Sequence, residues 1–433
     1  MYKERHAKVE HTNSLFHQYA QRLNDQINHL ARHGADAAGG VTRLLYSDTW
    51  VQAQGYVREI MEESGLETRY DWAGNLTGSL HGSRPELPPV ISGSHIDSVT
   101  HGGKYDGALG VLAAVYALAY LKASYGTPVR GLSAISLSEE EGSRFPFAYW
   151  GSGSITGARR LDELQDMRDR EGITLLQAME HAGFGPGSGY EDPRAAVVPG
   201  AFLELHIEQG CELERTSSQI GVVTAIVGQK RWEVLLSGKA SHAGTTPMLW
   251  RKDALAGAAE MILSAEALAA CEVEGLVATV GHLQIEPSTS NVVPGAVNFT
   301  VDLRHADAAV LQQCGQRLAS AFKDIAAERG LELVCMERMH TDPVLMEPGM
   351  MKQAAYFSEQ LGLSYMKLSS GAGHDSQMFR ELCPTAMIFV PSRDGISHNP
   401  LEYTSTEQVT DGFRLLVSML YYYGYGGGAH EEL

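Results

Sequence analysis

From Pro89 the chain reads VISGSH, an apolar run of strand length, and after a Gly-rich loop it reads GVLAAVYALAYLKASYG, a helix ending at a glycine. This is a βα unit. Three more strand-like runs follow: GLSAISLS runs into Glu139, AFLELHIE carries His206, and TAMIFVPS precedes His398. Near-continuous apolar strands alternating with helices predict an α/β fold with a parallel sheet covered on both faces. In such sheets functional groups gather at the carboxyl ends of the strands, where these His and Glu residues fall.

A chain of 433 residues is too long for one ordinary core. From Gly228 to about Thr341 the rhythm changes. Strand RWEVLLSGKAS, helix DALAGAAEMILSAEALAA, strands LVATVGHLQIE and AVNFTVDLRHA, helix AAVLQQCGQRLASAFKDIAAERG and strand LELVCMERMH give the order βαββαβ. The expected organisation is a discontinuous domain, 1–227 plus 342–433, carrying an inserted α+β domain at 228–341. The Gly-rich tail YYYGYGGGAHEEL is expected to fray.

With 34 basic against 52 acidic residues the formal charge is −18, which repels phosphate backbones and anionic membranes, so nucleic acid is not an expected partner. The five cysteines, Cys211, Cys271, Cys314, Cys335 and Cys383, are scattered without CxxC spacing, arguing against a disulfide framework or a thiolate metal site. The charged N-terminus MYKERHAKVEHTNSLFHQ lacks an apolar h-region, and the apolar run Gly107 to Leu121 is shorter than a bilayer needs. A cytoplasmic protein without a membrane span is expected.

The segment GSHIDSVTHGGKYDG puts His95 just past a strand, Asp97 two residues on and Asp106 in a Gly-rich loop. Imidazole and carboxylate donors suit Zn²⁺, Mn²⁺ or Co²⁺, and Asp97 is placed to accept the second ring N–H of His95. SEEEGSRF sets Glu139, Glu140 and Glu141 at a strand end, where a solvated charge run is unusual. One of them as ligand beside another as general base would hold and deprotonate a water; composition leaves their roles open. His206 and His398 are singly readable as structural histidines. Taken with His95, Asp106 and Glu141 they form a five-ligand set delivered by four strand ends.

The motifs GSHIDSV, GGKYDG, EEEGSRF, ELHIEQG, GKASHAGTTPM, SNVVPG, DLRH, SGAGHDSQ and ISHNP resemble those of the amidase, hydantoinase and carbamoylase branch of the M20 metallopeptidase-like superfamily. The likeness spans nearly the whole chain. It implies two divalent ions per subunit, Mn²⁺ or Zn²⁺ with Co²⁺ also acceptable, bridged by Asp106. His95 and His206 would complete one site, Glu141 and His398 the other. It makes Glu140 the base, assisted by Asp97, and leaves Glu139 a spectator. It also implies that Gln209, Gly373 and His374 line the pocket, that His242 stabilises the oxyanion, and that Asn291 and Arg304 hold a substrate carboxylate. The inserted domain would serve as lid and as homodimer contact.

Within that branch, GADAAGGVTRLLYSDTW, SGLETRYDWAGNLTGSL, VVTAIVGQKRWEV and DLRHADAAVL look most like the allantoate-hydrolysing members, TRLLYS being the most telling. The implied reaction is cleavage of a ureido C–N bond of allantoate. GGKYDG and Ser376 depart from that pattern, and GGKYDG is common among N-carbamoyl-L-amino acid hydrolases. Those enzymes and β-ureidopropionase are therefore the alternative. A peptidase, a deacetylase or a non-enzymatic binding protein on the same scaffold stands behind them; retention of all five ligands and of Glu140 argues against the last.

Overall fold

The computed structural model describes residues 14–37, 39–195 and 198–426. The N-terminal motif up to residue 13 and the tail from 427 lie outside them. Two compact units emerge: Met1–Thr224 with Met346–Leu368 and Gly373–Leu433, and Ala225–Leu345 with Ser369–Ala372.

In the first unit four strands are buried at every position: β1 (Val90–His95), β2 (Leu132–Leu137), β3 (Ala201–Ile207) and β4 (Thr385–Val390). They lie parallel in the order β2-β1-β3-β4. The four central strands are the expected parallel sheet, and antiparallel strands extend it at both edges, Leu76–Leu80 against β2 and Ile220–Ile226 against β4. One cause is loop length: the outermost strand Glu67–Tyr70 returns through residues 71–75 to Leu76–Leu80, too short a link for a parallel crossover. The parallel register aligns the exits, with His95 opposite Leu137 and His206 opposite Phe389.

Helix α1 (Ala108–Tyr125) is buried from Ala108 through Leu121 because it packs between β1, β2 and β3 and the helices Ser14–Leu30 and α2 (Thr406–Tyr425). A helix enclosed on all sides has no polar face to present, which explains its composition. The expected shortness relative to a bilayer needs correcting. At 18 residues and mean hydropathy 1.4, α1 reaches the length and apolarity of a span, as does Ala254–Glu272 in the second unit; for α1, burial in the core accounts for this. Gly110 lets α1 lie on the sheet: a Cβ there would stand 2.4 Å from the Leu205 carbonyl oxygen. The capping box of Ser405 and Gln408 starts α2, which runs through Tyr425 and so orders the YYYGY that composition marks as fraying.

The second unit is an antiparallel sheet in the order Leu283–Glu286, Ala296–His305, Gly228–Ser237, Glu332–Thr341. Two helices, Ala254–Ala267 and Ala308–Glu328, share its core of Val234, Leu236, Phe299, Val301, Leu318 and Phe322. LVATVGHLQIE forms two short strands instead of one, Val277–Thr279 and Leu283–Glu286, both paired with Ala296–His305. Ser369–Ala372, outside the expected 228–341, belongs here because Val227 N–H donates to the Ser370 carbonyl at 3.0 Å. All five cysteines are unpaired.

Gly110→Ala should destabilise the protein by about 1–3 kcal/mol, since the added methyl must displace α1 from the sheet. Urea unfolding measures this, and an unchanged midpoint would contradict the packing described.

Candidate metal centre

His95 is the last residue of β1, and the loop after it returns Asp106 to its ring. Gly107 permits the return: its φ is +62° and a Cβ would stand 2.5 Å from the His95 imidazole. Asp106 is shared by three histidines. Its Oδ1 is 3.2 Å from His206 Nε2 and 3.7 Å from His95 Nε2, while its Oδ2 is 3.2 Å from His398 Nε2. Glu141 Oε2 is 3.4 Å from His398 Nε2. Donor atoms therefore converge as His95/Asp106/His206, as Asp106/Glu141/His398 and as His95/Glu140/Glu141, each set within 4.8 Å.

The other ring nitrogens of His95 and His206 are already engaged. His95 Nδ1 is 3.2 Å from Asp97 Oδ1 and 3.1 Å from the Asp97 carbonyl oxygen, and His206 Nδ1 donates to the Ile207 carbonyl at 2.9 Å. Gly107 N–H donates to His206 Nε2 at 3.1 Å, which marks that nitrogen as an acceptor. Neutral, His206 turns the Nε2 lone pair toward a carboxylate oxygen, an arrangement that a cation completes; protonated, it pairs with that carboxylate. Imidazoles and carboxylates without thiolates fit Zn²⁺, Mn²⁺ or Co²⁺.

Asp97 does more than meet His95. Its Oδ1 accepts from Glu140 N–H at 3.1 Å and its Oδ2 from Glu141 N–H at 3.2 Å, so one carboxylate sets the imidazole and the Glu140–Glu141 backbone together. Glu139, expected as a spectator, is buried and accepts from the N–H groups of Gly142 and Trp150, which fold the chain back behind Glu140.

The electrostatics follow from burying carboxylates together. Burial works against ionised Asp106, yet His206, His398 and His95 hold its carboxyl well below the ordinary range. Burial, then Asp106, pushes Glu141 up to about 8 against the pull of His95 and His398. Glu140 is raised well above the usual carboxylate range by burial against the pull of His95, with Glu141, Asp375 and Asp97 adding to the rise. Hydrogen bonding to Asp106 lifts His398 to about 9. So much buried negative charge is costly unless cations compensate it.

Around this core, Gln209 Nε2 donates to Asp106 Oδ2 at 3.0 Å, leaving its Oε1 buried with no partner. His374 packs edge-on against His206 at 4.6 Å between centroids, and burial together with His206 holds it well below the ordinary histidine range, hence neutral. Gly373 admits no side chain, because the Tyr149 hydroxyl would stand 1.9 Å from a Cβ. The remaining three expected residues belong to the second unit. His242 pairs with Val292, Asn291 is an exposed turn residue, and Arg304 donates to Asp302 Oδ1 at 3.0 Å and to the Gly371 carbonyl at 2.8 Å.

Residues 91–422 match Peptidase family M20/M25/M40. The chain belongs to the M20/M25/M40 peptidase family. Among its M20 relatives, the allantoate amidohydrolase of Bacillus subtilis (strain 168) is 44% identical over 407 residues, 93% of this chain and 97% of that one. The N-carbamoyl-L-amino-acid amidohydrolase of Paenarthrobacter aurescens is 36% identical over 401 residues, again 93% and 97%. A solved hydantoinase/carbamoylase family amidase from Burkholderia multivorans superposes with a TM-score of 0.89 at 34% identity, covering 93% of this chain and 97% of that chain.

Sequence reasoning misses several residues of this M20 centre. Glu402 accepts from the Tyr105 and Asp106 N–H groups at 2.9 and 3.2 Å. Glu204, beneath His206, accepts from the hydroxyls of Ser94 and Ser376, each at 2.7 Å. Glu402 lies four residues beyond His398 and carries a readable signal, a carboxylate just past a candidate ligand. Glu204, inside an apolar strand, carries the signal that a buried charge must have partners.

Asp97→Asn should weaken divalent-ion affinity by about 10–100-fold, because the amide cannot serve His95 and both backbone N–H groups as an acceptor pair. Titration calorimetry on metal-stripped protein reads this, and wild-type affinity would refute the role.

Proposed function

We propose that the chain is a metal-dependent amidohydrolase that cleaves a ureido C–N bond of allantoate, giving ureidoglycine, ammonia and carbon dioxide. The observation that carries this reading is the convergence on Asp106 of two three-residue donor sets, with Glu140 beside both. His95, Asp106 and His206 would hold one divalent ion and Asp106, Glu141 and His398 the other. Bound there, such ions supply Lewis acidity toward the ureido carbonyl and the attacking water.

Glu140 takes the water's proton as the new C–O bond forms. Its raised proton affinity favours taking that proton, which then passes to the departing nitrogen as the C–N bond breaks. The carbamate left behind collapses to release ammonia and carbon dioxide. Gln209 Oε1, buried and unpartnered, is an acceptor for a ureido N–H.

From the second unit we assign His242 to the oxyanion. Its Nδ1 accepts from Gly244 and Thr245 N–H at 3.0 and 3.2 Å, which puts the ring proton on Nε2 and makes it a donor. Such a donor is worth roughly 3–4 kcal/mol of barrier. Asn291 and Arg304 are assigned to the substrate carboxylate, Gly373 and His374 to the pocket lining, and the second unit to a homodimer contact. A cytoplasmic location goes with this reading.

The second reading, hydrolysis of an N-carbamoyl-L-amino acid or 3-ureidopropionate, uses the same machinery and is favoured by the 36% identical relative. Ammonia release by Mn²⁺-reconstituted protein, given allantoate, an N-carbamoyl-L-amino acid and 3-ureidopropionate in parallel, separates the two. Chelator-sensitive turnover of allantoate alone is the expected result, and preference for a mono-ureido acid transfers the assignment. Glu140→Gln should keep its metal content and fall below a tenth of wild-type turnover. Activity above that level, with both ions bound, would remove Glu140 from the role of base.

A further inference from the structure

Glu402 takes no part in the chemistry above, yet it is 4% exposed in a loop that also carries His398. One oxygen, Oε1, receives the two backbone N–H groups that precede and include Asp106. The other, Oε2, lies 2.9 Å from Ser397 Oγ. Gly103 makes room for this carboxylate, since a Cβ there would stand 2.0 Å from it.

Ser397 has a second acceptor within reach: its Oγ is 3.2 Å from Asp106 Oδ2. A hydroxyl has one proton, and Glu402 is the nearer acceptor. Asp106 Oδ2 already receives Gln209 Nε2 at 3.0 Å and faces His398, so a further donor would occupy the lone pair that a cation there needs.

We propose that Glu402 is a positioning residue that draws the Ser397 proton to itself and thereby keeps Asp106 Oδ2 open to the ion on the Glu141 and His398 side. The inference rests on the two-ion reading. Glu402→Gln is isosteric and reverses the proton's direction. Its amide oxygen stays on the two backbone N–H groups, because an NH₂ turned there would meet two donors. The NH₂ then faces Ser397, whose hydroxyl turns to Asp106 Oδ2 and competes with the ion.

The test is calorimetric titration of metal-stripped protein with Mn²⁺, checked by metal content after dialysis, for wild type, Glu402→Gln, Ser397→Ala/Glu402→Gln and His398→Ala. Glu402→Gln should lose roughly tenfold or more in affinity for one ion, while the other keeps the affinity it shows in His398→Ala. Removing the competing hydroxyl in the double variant should restore the lost ion. Wild-type binding of both ions in Glu402→Gln overturns the proposal. So does equal weakening of both ions with a lowered melting temperature, the mark of a merely structural residue, or failure of the double variant to recover. Wild-type protein that takes up one ion or none overturns instead the two-ion reading on which the inference stands.

Discussion

The first unit is organised around carboxylates brought together out of water at the carboxyl edge of a parallel sheet, with Asp106 at their centre. Four carboxyl groups, Asp97, Asp106, Glu140 and Glu141, are gathered around buried imidazoles, and like charges so placed oppose one another unless cations or hydrogen-bond donors intervene. The surroundings supply donors to the carboxylates placed around this centre. Backbone N–H groups go to Asp97, Glu139 and Glu402, and serine hydroxyls go to Glu204 and Asp375. The ring nitrogens of His95, His206 and His398 instead face the Asp106 carboxylate itself.

This constraint explains the local backbone. Gly107 is left-handed so that the Asp106 loop can close over His95, and His398 adopts a φ of 54° that a bulky residue seldom takes. Such conformations persist where the surroundings over-determine them, here through Ser397, Glu402 and Asp106.

Much of this is legible in the sequence because its cause is periodic or local. The apolar runs that form β1 to β4 and α1 are buried and so show in the residues themselves, and the candidate ligands lie at the ends of the strands or in the loops that follow them. What escapes is set by pairing over distance. Glu402 and Ser397 act on a loop nearly three hundred residues earlier in the chain, and no local pattern announces that. The antiparallel flanks depend on loop lengths as much as on strand character. The tail tyrosines read as frayed by their glycines, yet Tyr421 and Tyr425 pack on Tyr125, and that contact holds the helix through Tyr425.

TRLLYS, the segment whose likeness bears most directly on substrate, turns out to be scaffold. Arg43 is 1% exposed and donates to the carbonyls of Ile96, Leu30 and His33, and its own N–H goes to Ser98 Oγ, so it fixes the turn that carries Asp97. The Leu45 carbonyl receives Arg144 of the EEEGSRF motif at 2.7 Å, and the Tyr46 hydroxyl receives Trp150 Nε1, also at 2.7 Å. One short segment therefore ties the loop after β1 to the loop after β2. The segment braces the loops that carry the candidate ligands, a role that does not depend on which substrate is bound. Discrimination between a bis-ureido and a mono-ureido acid has to come from groups with a free donor or acceptor, such as Gln209 Oε1, and from those that meet a carboxylate. Substitutions there should move the ratio of substrates, while substitutions in TRLLYS should lower activity on all of them alike.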